Sequence, residues 1–309
     1  MNQIYRYCGY TKQAFHQKMD RQLADREQEL LLLPIIAELR QEHPGVACRQ
    51  LYEIVKPTGL GRDKFEQLCF RHGYKLSQER SFTRTTNSTG VIRFPNLVAG
   101  AELTRINQVW VSDITYYEMG NKFYYLTFIM DLYSRFIVGH SVSKRLFTLD
   151  TTVPAMIYAL KWRNPSKGLI FHSDGGGQYY CKDFLSLTAK HSIHNSMCEM
   201  AYENPNAERI NGTIKNQYLR GYGPKNYLEL TRMTEKAIFN YNWIRPHQSL
   251  QKKSPAEFEK RIPAGGSSSK NDGFFSWDNP DQLQQKNHHS PKRSNDNKLV
   301  NKTVNPFQA

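Results

Sequence analysis

Three consecutive β-type runs in the middle of the chain constrain its fold more than any other feature. The first run, NQVWVSDITYYE (107–118), alternates polar with apolar residues and is rich in β-branched and aromatic side chains. Gly120 and Asn121 then predict a tight turn, because both residue types tolerate a positive φ. The next runs, KFYYLTFIMD and SRFIVGHSVS, are also typical of strands. Their short connections predict three antiparallel strands that are neighbours in one sheet.

Helices and strands alternate in the remainder of this region. We predict a helix at about 148–163, a strand in GLIFHSD (168–174) and an amphipathic helix in KDFLSLTAKH (182–191). A short strand, IHNSM (193–197), and a long helix that begins near Asn204 follow. This order predicts an α/β domain over residues 106–262, in which flanking helices cover a mixed five-stranded sheet.

Residues 1–105 are predicted to be helical. Gly9, Tyr10 and Thr11 indicate a turn into a short second helix, and LLLPIIAELRQEHPG (31–45) indicates a buried helix that ends near His43. VACRQLYEIVK and RDKFEQLCFRHG then flank a break at 57–61 that contains glycine. Two short helices around such a turn favour a DNA-binding region of the helix-turn-helix type. Two ordinary packed helices are the alternative.

The charge of the chain favours an anionic partner. The formal net charge is +14, and an excess of this size attracts polyanions, of which nucleic acid is the commonest. Residues 71–93 include several arginines, among them Arg80 and Arg84, against the single acidic residue Glu79. This stretch is predicted to be a basic linker that contacts DNA phosphates; a solvated tether is the alternative.

The polar C-terminal residues, the lack of long apolar runs and the scattered cysteines together predict where the protein works in the cell. Residues 263–309 are polar, low in aliphatic side chains and rich in Ser, Asn and Lys, which predicts a disordered tail. No run approaches the roughly 18 apolar residues of a membrane helix, and the N-terminus lacks the apolar core of a signal peptide. The five cysteines form no CxxC pair, as expected of reduced thiols. We therefore expect no membrane partner and a cytoplasmic, nucleoid-associated protein.

Three acidic residues stand where elements of the predicted sheet come together. Asp113 is expected at the end of the first core strand, Asp174 follows the short strand GLIFHSD, and Glu208 lies one turn into the helix that Asn204 and Pro205 open. Carboxylates that converge repel one another unless a cation neutralises them. An all-oxygen set suits Mg²⁺, with Mn²⁺ as a substitute. With 28 acidic residues in the chain, capping or surface roles are the alternative.

Five ordered motifs resemble one family of enzymes over residues 1 to about 262. The chain is similar to the integrase-like transposases of bacterial insertion sequences, and specifically to the second-frame (OrfB) protein of the IS-three family. The motifs are WVSDIT (110–115), DLYSR with IVG (131–139), HSDGGGQY (172–179), ENPNAERINGTIK (203–215), and YNWIRPHQSL with SPAEF (241–258). The loop after the second aspartate departs from the family, because three glycines stand where an arginine and a serine are frequent.

The resemblance implies a ribonuclease H-like fold and a function. It implies that Asp113, Asp174 and Glu208 are the metal-binding acids of a DDE transposase, an enzyme that cleaves DNA strands and transfers them. Lys215 matches the basic residue seven places after the glutamate, and on a helix this spacing puts both on one face. DNA contacts are expected from Lys215 and from three further residues, which are Arg209, His172 and Arg245. A structural role is the alternative for each of the last two.

Double-stranded DNA, as element ends and as target, is the expected partner. The family mechanism implies that water first attacks a phosphodiester at the element end, and that the released 3′-hydroxyl then attacks a second one. We expect a homo-multimer, because two ends must be brought together, and a partner or fusion from an upstream reading frame (OrfA). Two alternatives stay open, namely a nuclease of the same fold that never joins strands, and a DNA-binding regulator left by an inactive element.

Overall fold

Five strands form one mixed sheet at the centre of the computed structural model, which describes residues 11–76, 94–198 and 204–262 together with 5, 7 and 9. The strands are β1 (Val109–Met119), β2 (Lys122–Asp131), β3 (Ile137–Ser143), β4 (Ile170–Ser173) and β5 (His194–Met197). Their order is β3-β2-β1-β4-β5. β1, β2 and β3 pair antiparallel, while β4 runs parallel to β1 and to β5. The predicted ribonuclease H-like sheet is confirmed.

Helices lie before, between and after these strands, as predicted. The N-terminal helices are α1 (Lys12–Glu42), α2 (Cys48–Val55) and α3 (Arg62–Arg71). Within and after the sheet come α4 (Thr152–Arg163), α5 (Lys182–Lys190), α6 (Pro205–Gly212), α7 (Tyr227–Phe239) and α8 (Pro255–Lys260). A π-helical segment, Thr213–Leu219, and a last turn, Arg220–Tyr222, continue α6, and a second π-helical segment, Asn240–Ile244, continues α7.

The first helix differs from its prediction. A short helix and a separate buried helix were expected, whereas α1 is a single helix of 31 residues that passes through Pro34. Pro34 is exposed, so its missing N–H and its ring disturb only the solvent side of the helix. Burial is also less than expected, because the only buried residues of α1 are Leu32 and Ile36. The helix break predicted at 57–61 is present between α2 and α3.

Two apolar cores cover the two faces of the sheet. One core joins α4 and α5 to the sheet through residues such as Trp110 and Phe171. Gly139 allows α4 to lie close to β3, since a Cβ there would stand 2.8 Å from Cβ of Ala159. The other core combines α1, α2 and α3 with α6, α7 and the opposite face of the sheet. The described N-terminal helices therefore share a core with the sheet, within one compact unit.

A corner of the chain at His43–Gly45 joins the N-terminal helices to the helix that follows β5. The N–H of Gly45 donates to the carbonyl of Gln217 at 2.7 Å, and His43 Nδ1 lies 3.2 Å from the Tyr218 hydroxyl. Glycine is required here, because a Cβ on Gly45 would lie 2.5 Å from Cα of Gln217. Burial lowers the pKa of His43 to about 4, so the ring is neutral at physiological pH.

Several predictions concern residues outside the described ranges. Arg80 and Arg84 lie in 77–93, and the predicted tail occupies 263–309. Within the described part of the chain, no helix has the length and apolar character needed to cross a membrane.

Candidate active site

The strand register brings two of the three acids side by side. Val111 of β1 pairs with His172 of β4 in parallel; Asp113 stands two residues further along β1, and Asp174 stands two residues after His172, just past the end of β4. The sequence had suggested that Asp113 lies at the end of its strand. Asp113 lies instead within β1, because this strand continues to Met119 alongside β2. The ladder with β4 nevertheless ends at Val111, so Asp113 is at the point where the two parallel strands part.

One face of the helix after β5 lies along this part of β1. The amide of Asn204 donates to the carbonyl of Ser112 at 3.0 Å, where the β4 ladder has ended. One helix face carries the positions 204, 208, 211 and 215, because their spacing of four, three and four residues returns close to the same direction. Glu208 therefore faces the strand between two residues that contact it, and lies in the first turn of α6.

The same face reaches Asp113 and the residue two places beyond it. The amide of Asn211 donates to Asp113 Oδ2 at 2.8 Å, and Lys215 Nζ donates to Thr115 Oγ1 at 3.0 Å. Asp113 and Thr115 share one face of β1, since side chains alternate along a strand. The three contacts fix the helix on the strand, and Glu208 on this helix is near enough for its charge to act on Asp113.

The pKa values of both aspartates are raised. Burial first, and then repulsion from Asp174, raises the pKa of Asp113 to about 7; Glu208 contributes further repulsion, while the N–H of Ile114 and the amide of Asn211 oppose the shift. Burial also raises the pKa of Asp174, against the N–H of Gly176, which donates to its Oδ1 at 3.1 Å. Two carboxylates this close together favour protonation of one of them or the binding of a cation.

The acids approach one another without forming a closed ligand set. Within the described ranges, no three His, Cys, Asp or Glu side chains are close enough together to hold a metal ion. Three carboxylates repel one another, so a bound cation would favour their closer approach. The donor set, which is all carboxylate oxygen, fits a hard divalent cation such as Mg²⁺.

The glycine loop after β4 borders the acids closely. A Cβ on Gly176 would lie 3.1 Å from Asp174 Oδ1, and one on Gly175 would lie 2.9 Å from Cε of Met197. Gly177, by contrast, has open space around it. The Tyr180 hydroxyl donates to the carbonyl of Asp174 at 3.0 Å, which holds the loop backbone beside the acid.

Two of the basic residues expected at DNA lie where DNA could reach them. Arg209 is exposed on α6, next to Glu208. Lys215 is half-buried, and its ammonium group lies 4.8 Å from the ring centroid of Tyr116. Burial and the charge of Arg220 lower its pKa, while the charge of Asp113 opposes the shift. Within the described part of the chain, the ammonium group of Lys215 contacts the Thr115 hydroxyl and the Tyr116 ring and forms no ion pair with a carboxylate.

The other two basic residues expected at DNA, His172 and Arg245, are buried in the protein. His172 is 2% exposed in β4, with Nδ1 2.9 Å from the Ser196 hydroxyl. Arg245 is 7% exposed and hydrogen-bonds the side chain of Tyr218. Burial limits access of DNA to both side chains, and their expected DNA contacts stay predictions beside the structural alternative. Arg80 and Arg84 cannot be placed, because they are outside the described ranges.

The positioning residues around the acids were not identified from the sequence. Asn211 and Asn204 contact β1 from the helix, and Arg135 donates from Nη1 to Asn206 Oδ1 at 2.6 Å, which fixes the start of α6. The usable signal was the spacing of Asn204 and Asn211 on the helix face of Glu208. Asp131 is separate from the site, because it is fully buried and accepts from backbone N–H groups, including that of Ser134.

Comparison with known proteins identifies the region that carries these residues. A protein-family model described as an integrase core domain matches residues 104–202, and a second family model with the same description matches residues 190–255. The catalytic core domain of HTLV-2 integrase, solved in complex with magnesium, resembles the chain with a TM-score of 0.42 and 22% identity, over 49% of this chain and 95% of that domain.

Relatives from insertion sequences extend over more of the chain. A 31 kDa protein of insertion element IS600 from Shigella sonnei is 31% identical over 260 residues, which are 82% of this chain and 94% of the relative. Transposase InsF of insertion sequence IS3A from Escherichia coli is 31% identical over 164 residues, 50% of this chain and 54% of the relative. Together with the integrase core and the sheet described above, these matches show that the chain belongs to the IS3 family of insertion-sequence transposases, enzymes that transpose DNA with an integrase-type core.

Proposed function

We propose that this chain cleaves and joins DNA strands by metal-dependent phosphoryl transfer, with Asp113, Asp174 and Glu208 as the metal-binding acids. The observation that carries the proposal is the pair of neighbouring, half-buried carboxylates at the parting of β1 and β4, with Glu208 near enough for its charge to act on Asp113. Burying charges of one sign is costly without a counter-ion. A site that keeps such a pair together is therefore suited to binding a cation.

Magnesium is the proposed cation, with manganese as a substitute, because the three side chains offer only carboxylate oxygens. When bound, the metal supplies activation of the attacking oxygen and stabilisation of the leaving oxygen during in-line displacement at phosphorus. Asp113 and Asp174 would hold it between the strands. Glu208 is exposed in the first turn of α6, so its carboxylate would complete the set from the solvent side.

The remaining residues of the site orient the acids and bind DNA. Asn211 donates to one oxygen of Asp113 and thereby orients this carboxylate. Lys215 carries a positive charge on this helix face and Arg209 carries one next to Glu208, and both are proposed to contact backbone phosphates. Phosphoryl transfer needs positioning and charge stabilisation more than covalent chemistry, which such a set supplies.

The partners remain part of the proposal. Transposition requires two element ends at once, so we propose that the chain acts as a multimer on double-stranded DNA. The helices α2 and α3 would supply further DNA contacts, with the linker that holds Arg80 and Arg84. Association with an upstream-frame (OrfA) protein and a nucleoid-associated, cytoplasmic location stay predictions.

The test uses the full chain and labelled duplexes that carry the sequences flanking its own gene. We expect strand cleavage and joining with Mg²⁺ or Mn²⁺, and neither with EDTA. Asp113→Asn, Asp174→Asn and Glu208→Gln are each expected to lower the rate on the order of a thousandfold or more, because catalytic groups that act as a unit fail together. Glu118→Gln, which removes an exposed acid from the far end of the same strand, is the matched control and should keep the wild-type rate.

The outcomes distinguish the alternatives. Cleavage without joining, on duplexes that lack element ends as readily as on those that have them, would show a nuclease of the same fold. DNA binding with no metal-dependent product would show a regulator. Full activity of either aspartate variant would contradict the assignment of the acids.

A further inference from the structure

A loop between β3 and α4 exposes three large apolar side chains at once. Leu146 is 41% exposed, Phe147 63% and Leu149 60%. Single exposed apolar residues are ordinary on a protein surface, whereas a cluster in one loop indicates a surface that contacts something. Lys144 and Arg145 directly precede the cluster, so two basic side chains adjoin the apolar ones.

The loop is held in one conformation by its own hydrogen bonds. The Ser143 hydroxyl donates to the carbonyl of Arg145 at 2.7 Å and accepts from its N–H at 3.0 Å. The Thr151 hydroxyl donates to the carbonyl of Phe147 at 2.7 Å, and Arg145 forms an ion pair with Asp150 at 2.9 Å. The apolar side chains are therefore presented to solvent from a fixed backbone, which lowers the entropy cost of binding.

The loop borders the acids through a single residue, Gln178. Its Nε2 donates to the carbonyl of Leu146 at 3.3 Å, and its backbone carbonyl accepts from the Thr152 hydroxyl at 3.2 Å. Its Oε1 and Asp174 Oδ1 both lie within 3.3 Å of the point that a Cβ of Gly176 would take. The apolar loop thus lies beside the glycine loop that carries the second acid.

From this arrangement we propose that Phe147 stacks on an unpaired DNA base next to the phosphodiester at the acids, with Leu146 and Leu149 at its sides. Aromatic rings with a neighbouring arginine are the usual partners of single-stranded bases. The guanidinium of Arg145 lies 5.4 Å from the ring centroid of Phe147 and completes such a surface. The inference rests on the proposed function, because it takes the molecule bound at Asp113 and Asp174 to be DNA.

DNA is favoured over a second copy of the chain by position and by charge. Gln178 donates to the carbonyl of Leu146 and also lies beside Gly176 and Asp174, so a ligand at the apolar loop lies close to the proposed DNA-cleavage site. The net charge of +14 further favours an anionic ligand.

The test measures stacking in the full-length Asp113→Asn chain, so that no strand is cut during titration. One labelled duplex is fully paired; a second has the same length but carries mismatches over its last base pairs, with 2-aminopurine among them. We expect the frayed duplex to bind about tenfold more tightly, with quenching of 2-aminopurine, because one stacked base contributes on the order of a factor of ten. Adding Phe147→Ala should remove both effects, and Phe147→Trp should retain them.

Phe123 supplies the matched control. It is 51% exposed on the hairpin between β1 and β2, so Phe123→Ala removes an equal side chain from a different surface and should leave the preference intact. The proposal is overturned if Phe147→Ala keeps the preference and the quenching. It is also overturned if that variant instead lowers the oligomeric state in light scattering, which would mark a contact between copies. Because the acids are already inactivated, neither result depends on whether they catalyse.

Discussion

Replacing Asp113 with asparagine should stabilise the metal-free protein, and the gain should grow with pH. Burial and the charge of Asp174 raise the pKa of Asp113 from 3.8 to about 7. A carboxyl whose pKa is higher in the folded than in the unfolded chain stabilises the fold while it is protonated in both. That contribution is complete below about pH 4 and is lost as the pH rises through about 7. Asparagine keeps the shape of the neutral acid and never acquires the charge.

The shift sets the size of the effect. At about 1.4 kcal/mol for each pH unit between the two pKa values, ionisation of Asp113 costs less than about 1 kcal/mol at pH 4 and at most about 4 kcal/mol at pH 8. The carboxyl keeps partial exposure, so the upper figure is a limit. For a chain of this size, about 3 kcal/mol corresponds to a rise in Tm of about 10 °C.

Thermal unfolding in EDTA at pH 4.5, 6 and 8 measures the effect directly. The Asp113→Asn variant should unfold close to the wild-type Tm at pH 4.5 and well above it at pH 8. Glu118→Gln, in the exposed part of the same strand, should follow the wild type throughout. Adding Mg²⁺ at pH 8 should raise the Tm of the wild type and leave the variant nearly unchanged. A variant that is no more stable than the wild type at pH 8 would refute the crowding of the acids.

Two further predictions concern residues that position the site. Asn211→Ala removes the hydrogen bond to Asp113 Oδ2. The Mg²⁺ concentration for half-maximal activity should therefore rise about tenfold or more, as is usual for partners of metal ligands. An unchanged Mg²⁺ titration would show that Asn211 does not position the acid. Gly221→Ala should lower the free energy of unfolding by about 1–3 kcal/mol, because its Cβ would collide with the ring of Pro44. Gly212→Ala, in the same helix with no atom nearer than 3.9 Å, should instead stabilise by about 0.5–1 kcal/mol in urea unfolding; equal effects of the two changes would contradict the close contact.

The sheet was predictable because its signals are local. The alternation in β1 and the Gly120–Asn121 turn depend on neighbouring residues, and both are present where the sequence indicates. The continuity of α1 was missed because the sequence was divided into a short helix after Gly9–Thr11 and a separate buried helix at 31–45, whereas one helix runs through both and through the exposed Pro34. The π-helical segment Thr213–Leu219 gives no sequence signal, since its geometry depends on packing against the distant corner at His43–Gly45.

The candidate site was predictable in its acids and not in their surroundings. Asp113, Asp174 and Glu208 are recognisable from motifs, and the parallel pairing of β1 with β4 accounts for the approach of the first two. Burial distinguishes the basic residues that are accessible from those that are not, since Arg209 is exposed whereas Arg245 is buried next to Tyr218. Such burial depends on contacts between segments far apart in the chain, which residue type and spacing do not encode.

The central claim is that Asp113, Asp174 and Glu208 share a divalent metal. Crystals of the full chain soaked in Mn²⁺, measured at the manganese absorption edge, test it most directly through the anomalous difference map. We predict a peak about 2.1 Å from carboxylate oxygens of both Asp113 and Asp174, with Glu208 turned towards it when DNA is bound. A map with no peak at these two aspartates, from crystals that show manganese elsewhere, would contradict the claim.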